Sequence, residues 1–225
     1  MFPTDRQIMQ EYPPPAALLF LSSHCPHCPA VLAGLSELLK RAVIGRLEAV
    51  NIEMCPEEVG NLGVRSVPWV RIGPFELTGA LSLGELETWS RRAIGPAGMA
   101  DAFHDLLKTG GVTQVLRLVH DDPARLADLL PIVANPEASL NVRLGAGVVF
   151  EEFAASPALG ALVAQLCELV RHEDVRVRAD AAHILGLSHN AAARPCLEAL
   201  LGDADMDVRE IAAESLAGLQ GETEE

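Results

Sequence analysis

Up to residue 95 the apolar positions change period repeatedly, as they do where strands and helices alternate. Ala16 to Leu21 is an unbroken apolar run of strand length, the pattern of a parallel strand covered on both faces. From Pro29 the apolar residues Val31, Leu32, Leu35, Leu38, Leu39 and Ile44 recur at helical spacing, with Gly45 as the stop. A second strand, Leu47–Ile52, precedes a short helix over Glu57–Leu62, so strand, helix and strand form a βαβ unit with parallel strands. Val67–Ile72 and Phe75–Thr78 flank Gly73-Pro74 and predict a hairpin. Ser82 followed three residues later by Glu85 is a capping box that opens a helix reaching Ala93. At the other end, Thr4–Tyr12 predicts a short helix stopped by Pro13-Pro14-Pro15.

Beyond Gly95-Pro96-Ala97-Gly98 the period becomes helical throughout and the pattern repeats. Val142-Arg143, Val177-Arg178 and Val208-Arg209 open similar segments at offsets of 35 and 31 residues. A predicted helix precedes each of them, over 124–134, 159–170 and 191–201. Periods in this range built from helix pairs mark α-solenoids, with an ordinary helical bundle as the alternative. The expected organisation is therefore an α/β domain over 1–95, a linker over 96–99 and an all-α repeat domain over 100–225.

Charge separates the two halves further. Residues 1–95 hold 8 Lys and Arg against 10 Asp and Glu, whereas residues 96–225 hold 9 against 21, a net charge of −12. So acidic a surface repels phosphate backbones and anionic headgroups, which argues against nucleic-acid and membrane partners and leaves neutral or basic proteins. No apolar run approaches the length of a membrane span and no signal peptide is legible, so a soluble, cytoplasmic protein is expected.

Candidate chemistry lies between the first strand and its helix, where Cys25-Pro26-His27-Cys28 follows Ser22-Ser23-His24. A Cys-x-x-Cys placed there sets the first thiol at a helix N-terminus, where unpaired N–H groups and the macrodipole favour thiolate. Cys25 is then the nucleophile and Cys28, deeper in the helix, the resolving thiol. His24 and His27 can add positive charge beside Cys25, which stabilises the reduced form and makes the disulfide a stronger oxidant. Other readings stay open: a zinc half-site with the two histidines as further ligands, a purely structural pair, or histidines that are only loop residues. Neither a metal nor a cofactor is expected. Cys55, just past the second strand, is a possible third thiol or a small hydrophobe in a loop; Cys167 and Cys196 read as packing residues on apolar helix faces.

The stretch from Asn51 to Val67-Pro68, together with the CPHC sequence, resembles the thioredoxin family. That resemblance implies a thioredoxin fold, a cis peptide bond before Pro68, stacking of Pro68 near Cys25, and a Val67 backbone available to pair with a substrate chain. It implies protein disulfides or thiols as substrates, and the CPHC form resembles that of DsbA-type oxidants. The chain departs from thioredoxin at Leu19, where that family carries an acidic residue, and at His24, where it carries Trp. The first departure removes the group expected to take a proton from Cys28. Asp207-Val208-Arg209-Glu210-Ile211-Ala212-Ala213 resembles the start of the second helix of a HEAT repeat, which implies docking of a protein partner on the helical half.

Overall fold

A computed structural model describes residues 13–60, 62–95 and 98–219. The helix expected over Thr4–Tyr12 lies outside the described residues, as do Asn61, Pro96, Ala97 and the segment 220–225. The chain divides into two compact units between Ala102 and Phe103.

In the first unit, β1 (Ala16–Leu21) runs parallel to β2 (Arg46–Asn51), with Ala16 opposite Arg46 and Leu21 opposite Asn51. On its other side β1 pairs antiparallel with β3 (Trp69–Ile72), which turns through Gly73 into β4 (Phe75–Thr78). Gly73 has a φ of 55°, a left-handed conformation that glycine adopts without a Cβ penalty. The result is a four-stranded mixed sheet of order β2-β1-β3-β4. Because β1 and β2 are parallel and end level with each other, the loops leaving their C-terminal ends emerge along one edge of the sheet.

Helix α1 (Cys28–Lys40) lies between β1 and β2 in sequence and buries Cys28, Val31, Leu35 and Leu38, one face at helical spacing. Val31, Leu35 and Leu38 join Leu19, Val70, Ile72 and Leu86 in one apolar core. After the short α2 (Glu57–Gly60), helix α3 (Leu83–Arg92) supplies Leu86. A Cβ on Gly34 of α1 would lie 2.8 Å from Leu86 Cδ1, so the glycine permits that contact. The capping box is formed: Ser82 Oγ accepts the Glu85 N–H at 3.3 Å, and the Ser82 N–H donates to Glu85 Oε2 at 2.8 Å.

The division between units falls within α4 (Met99–Lys108). The second unit continues with α5 (Val112–Asp121), α6 (Leu130–Val133), α7 (Leu140–Glu152), α8 (Pro157–Gly160), α9 (Val163–Leu169), α10 (Val175–Leu187), α11 (Arg194–Leu200) and α12 (Met206–Gly218). Helices α7, α10 and α12 each have 13 residues and begin where the repeated Val-Arg pattern places them. Val142, Val177 and Val208 are buried at the same point of each. Asp174 and Asp205 cap α10 and α12 by accepting backbone N–H groups two or three residues on, while Ser139 before α7 makes no such bond.

The preceding helices are shorter than the apolar period suggests. The stretch expected as one helix over 124–134 is a 3₁₀ segment, Pro123–Leu129, followed by α6; the stretch over 159–170 is divided between α8 and α9. The stretch over 191–201 opens as 3₁₀ at Ala191–Ala193 before α11. Pro131 and Pro195 sit in the first turn of the restarted segments, where a missing N–H breaks no helical bond.

Repeats are joined by charge and by close packing. Arg143 on α7 pairs with Asp180 on α10, and Arg178 on α10 makes two bonds of 2.8 and 2.9 Å to Asp203 before α12. Arg178 and Asp203 are largely buried, and the arginine also donates to the His172 and Glu173 carbonyls. Gly186 lets α10 approach α12: a Cβ there would lie 2.6 Å from Ser215 Oγ, whose hydroxyl donates to the Ala182 carbonyl.

Candidate functional site

The edge of the sheet where β1 and β2 end carries the thiol pair. Cys28 is the first residue of α1, with His27 as its N-cap and Pro29 next, so the Cys28 N–H is not used within the helix. It donates instead to Cys25 Sγ at 3.2 Å. The Cys25 thiol faces the Val67 carbonyl at 3.6 Å, and the Val67–Pro68 peptide bond is cis. Thus Cys25, Cys28, Val67 and Pro68 come together, although 39 residues separate Cys28 from Val67. Cys25 is part-exposed and Cys28 is buried; both are free thiols.

The two sulfurs occupy electrostatically different positions. Burial pushes the Cys25 thiol up, but hydrogen bonds from the Cys28 thiol and from the His27 and Cys28 backbone outweigh it and hold Cys25 below the ordinary thiol value. Cys28 is pushed up, first by burial and then by its hydrogen bond to Cys25. Near neutral pH Cys25 is therefore the sulfur more readily ionised, and a thiolate there accepts from N–H groups already in place.

Of the other candidate residues, Pro26 and His27 are exposed on the loop, and Pro68 is buried beside β3. His24 is 91% exposed at its side chain and its Nδ1 lies 3.2 Å from Glu53 Oε1. Cys55 is a part-exposed free thiol whose backbone N–H donates to the Asn51 carbonyl and whose own carbonyl accepts from Glu58, turning the chain after β2. Leu19 is fully buried in the core.

Sequence reasoning missed Glu53. Its carboxylate accepts the Ser23 N–H at 3.2 Å as well as facing His24, while Asn51 Nδ2 donates to Ser23 Oγ at 3.1 Å. Hydrogen bonds from Ser23 and His24 hold Glu53 below the usual carboxylate value. Two side chains from the end of β2 thus clamp the loop that leads into Cys25. The signal was available: in a parallel pair, residues just past both C-terminal ends are neighbours.

The remaining cysteines require a correction. Cys167 on α9 and Cys196 on α11 read as packing residues, yet they form a disulfide with a Cα separation of 5.6 Å, and both are part-exposed. Helical spacing placed each on its helix but could not show that the two helices bring them to bridging distance. Among the described residues no group of three or more His, Cys, Asp or Glu side chains converges as a metal site. Among those residues, too, no helix is long and apolar enough to cross a membrane.

No curated protein matches this chain. Residues 163–224 match the family model for HEAT repeats, a span that takes in α9 to α12 and both bridged cysteines.

Proposed function

We propose that the first unit is a thioredoxin-like thiol–disulfide oxidoreductase acting on protein thiols or disulfides, and that the HEAT-like repeats dock its protein partner. The observation that carries this reading is the Cys28 N–H aimed at Cys25 Sγ at the start of α1, opposite the cis Val67–Pro68 bond. The sheet order, with its parallel β1–β2 pair and β3–β4 hairpin, supports a thioredoxin-like core. In this reading Cys25 as thiolate attacks a sulfur of the substrate disulfide, forming a mixed disulfide and expelling the other substrate thiolate. Cys28 then loses its proton to solvent and attacks Cys25 Sγ, releasing the reduced substrate and leaving Cys25–Cys28 oxidised. The reverse sequence oxidises a substrate dithiol. The Val67 backbone offers a peptide-binding edge beside the sulfur, and His24 and His27 line the approach.

The match of 163–224 to HEAT repeats supports the docking part, since solenoids present extended surfaces for protein partners. A cytoplasmic location fits a thiol pair that is cycled rather than locked. The competing reading is an interaction protein whose repeats are the working part and whose thiol pair only senses redox state. Trapping decides between them. Cys28→Ser should accumulate mixed disulfides on Cys25 that mass spectrometry identifies, and Cys25→Ser should accumulate none; equal labelling of both variants would overturn the oxidoreductase reading.

A further inference from the structure

We propose that the face built by α7, α10 and α12 docks an amphipathic helix with one basic edge, whose apolar stripe rests on Leu140, Leu144 and Val148 and whose lysines or arginines meet Glu210 and Glu214. The proposal rests on the docking part of the reading above and gives the partner a chemistry.

The three helices present equivalent positions to solvent. Each begins two residues before its buried valine, and two residues turn a helix by about 200°, so Leu140, Val175 and Met206 point away from the core at matching places. Hydrogen bonds between neighbouring helices set their level. Arg143 on α7 donates to the Arg176 carbonyl and pairs with Asp180, and Ser215 on α12 donates to the Ala182 carbonyl. At the repeat offsets of 35 and 31 residues, Leu144 is level with Ala179 and Glu210, and Val148 with His183 and Glu214.

Across this face the chemistry grades from apolar to acidic. On α7, Leu140, Leu144 and Val148 are 67%, 60% and 46% exposed at one-turn spacing. They form a stripe about 12 Å long that is open to solvent. On α12, Glu210 and Glu214 are exposed at the same spacing, and neither forms an ion pair among the described residues. The arginines of these helices are already engaged: Arg143 with Asp180, Arg176 with Asp174, Arg178 with Asp203, and Arg209 with the Asp203 and Ala204 carbonyls. Unbalanced carboxylates beside an apolar stripe are complemented by a segment that is apolar on one side and cationic on the other. Between the two columns α10 offers the small, part-exposed Ala179. Packed helices stand about 8 to 10 Å apart, so a helix about 10 to 12 Å across can lie along α10 and reach both columns. A helix fits better than a strand, because its own side chains return to one face every three or four residues, the spacing of both columns, whereas a strand's return every two.

The probe is a synthetic peptide of about 18 residues, long enough to hold a helix, with Leu along one stripe and Lys along one edge; its control carries Glu in place of Lys. Titration calorimetry with the full chain should show the Lys peptide binding, and binding more weakly as salt rises. Leu144→Asp, and separately the pair Glu210→Lys with Glu214→Lys, should each weaken it by about tenfold or more. The charge-reversed pair should bind the Glu peptide instead. Circular dichroism checks that these exposed substitutions leave the fold intact. No binding of the Lys peptide, equal affinity for the Lys and Glu peptides, undiminished binding by Leu144→Asp, or a wild-type dimer that Leu144→Asp dissolves would overturn this surface. The docking reading is measured separately, by titrating the protein that Cys28→Ser captures, in reduced form, into a Cys25→Ser, Cys28→Ser variant. Binding there that Leu144→Asp leaves unchanged would overturn the surface and keep the docking reading. No binding there, with the Lys peptide bound as expected, would overturn the docking reading and keep the surface.

Discussion

Cys25 and Cys28 are held together by a single turn of chain at the start of one helix, whereas Cys167 and Cys196 meet only because the packing of successive helices brings two separate helices to bridging distance at those positions. The first pair gets its chemistry locally. A helix N-terminus supplies the N–H groups, and the residues needed to form it lie within a few positions of the sulfurs. The second pair gets its geometry from everything between α9 and α11, including the Arg178–Asp203 pair and the close approach at Gly186. Local pairs tolerate damage elsewhere in the molecule; a pair assembled by packing does not.

The largest test of that contrast is at the nucleophile. Cys25→Ser should reduce catalysed disulfide exchange to the uncatalysed rate while leaving hydrogen-exchange protection of 103–219 unchanged, as peptide-resolved amide exchange would report. In the wild type the thiolate has its own pH signature. The folded-state value of Cys25 is lowered, so ionisation favours the folded, reduced form above the ordinary thiol range, and this advantage is lost as pH falls through the lowered value. Exchange rate should fall over the same interval, and thiolate absorbance should show Cys25 titrating before Cys28. A rate that tracks an ordinary thiol, near ~8.5, would break the argument for local activation.

Next in size is the covalent tie in the repeats. Replacing both Cys167 and Cys196 by Ser removes a constraint on a 29-residue separation and should destabilise the second unit by about 3 to 4 kcal/mol. Amide exchange should then speed up in 163–219, with the Cys25 titration unmoved. If the titration also shifts, the two sulfur pairs are not independent.

Gly186→Val probes the packing that supports the second pair. Its side chain would run into Ser215, and the strain should cost about 1 to 3 kcal/mol in the second unit, measured by denaturant unfolding. Here too the Cys25 titration should stay where it is. The smallest effect belongs to the first unit: Ser82→Ala removes the cap of α3 and should cost ~1 kcal/mol there, with protection in 163–219 unchanged.

How much was legible beforehand follows the same division between local and non-local. The strand Ala16–Leu21, the thiol pair at the head of α1, the Ser82 cap and the three Val-Arg helices were all readable, because each depends on residues within one or two turns of chain. The expected single helices before each repeat were too long, because apolar period does not register where a helix breaks and restarts, with Pro131 and Pro195 in the restarted turn of two of them and no proline between α8 and α9 in the third. Glu53 at the Cys25 loop was missed, because its position depends on the in-register parallel pairing of β1 with β2.

By itself the amino-acid sequence determined that the Cys25–Cys28 pair stands where β1 hands over to a helix; the expectation that Cys28 lies deeper in that helix is corrected, since Cys28 is its first residue and Cys25 precedes it. The sequence also determined the repeat length, through the spacing of Val142, Val177 and Val208. That Val67 lies beside Cys25 was implied by a resemblance rather than by spacing, and tertiary structure alone decided that Asn51 and Glu53 clamp the Ser23–His24 loop and that Cys167 reaches Cys196. The physical reason is that hydrogen-bonded turns and helix ends are specified by a few adjacent residues. The distance between two residues on different elements is specified by every side chain packed between those elements.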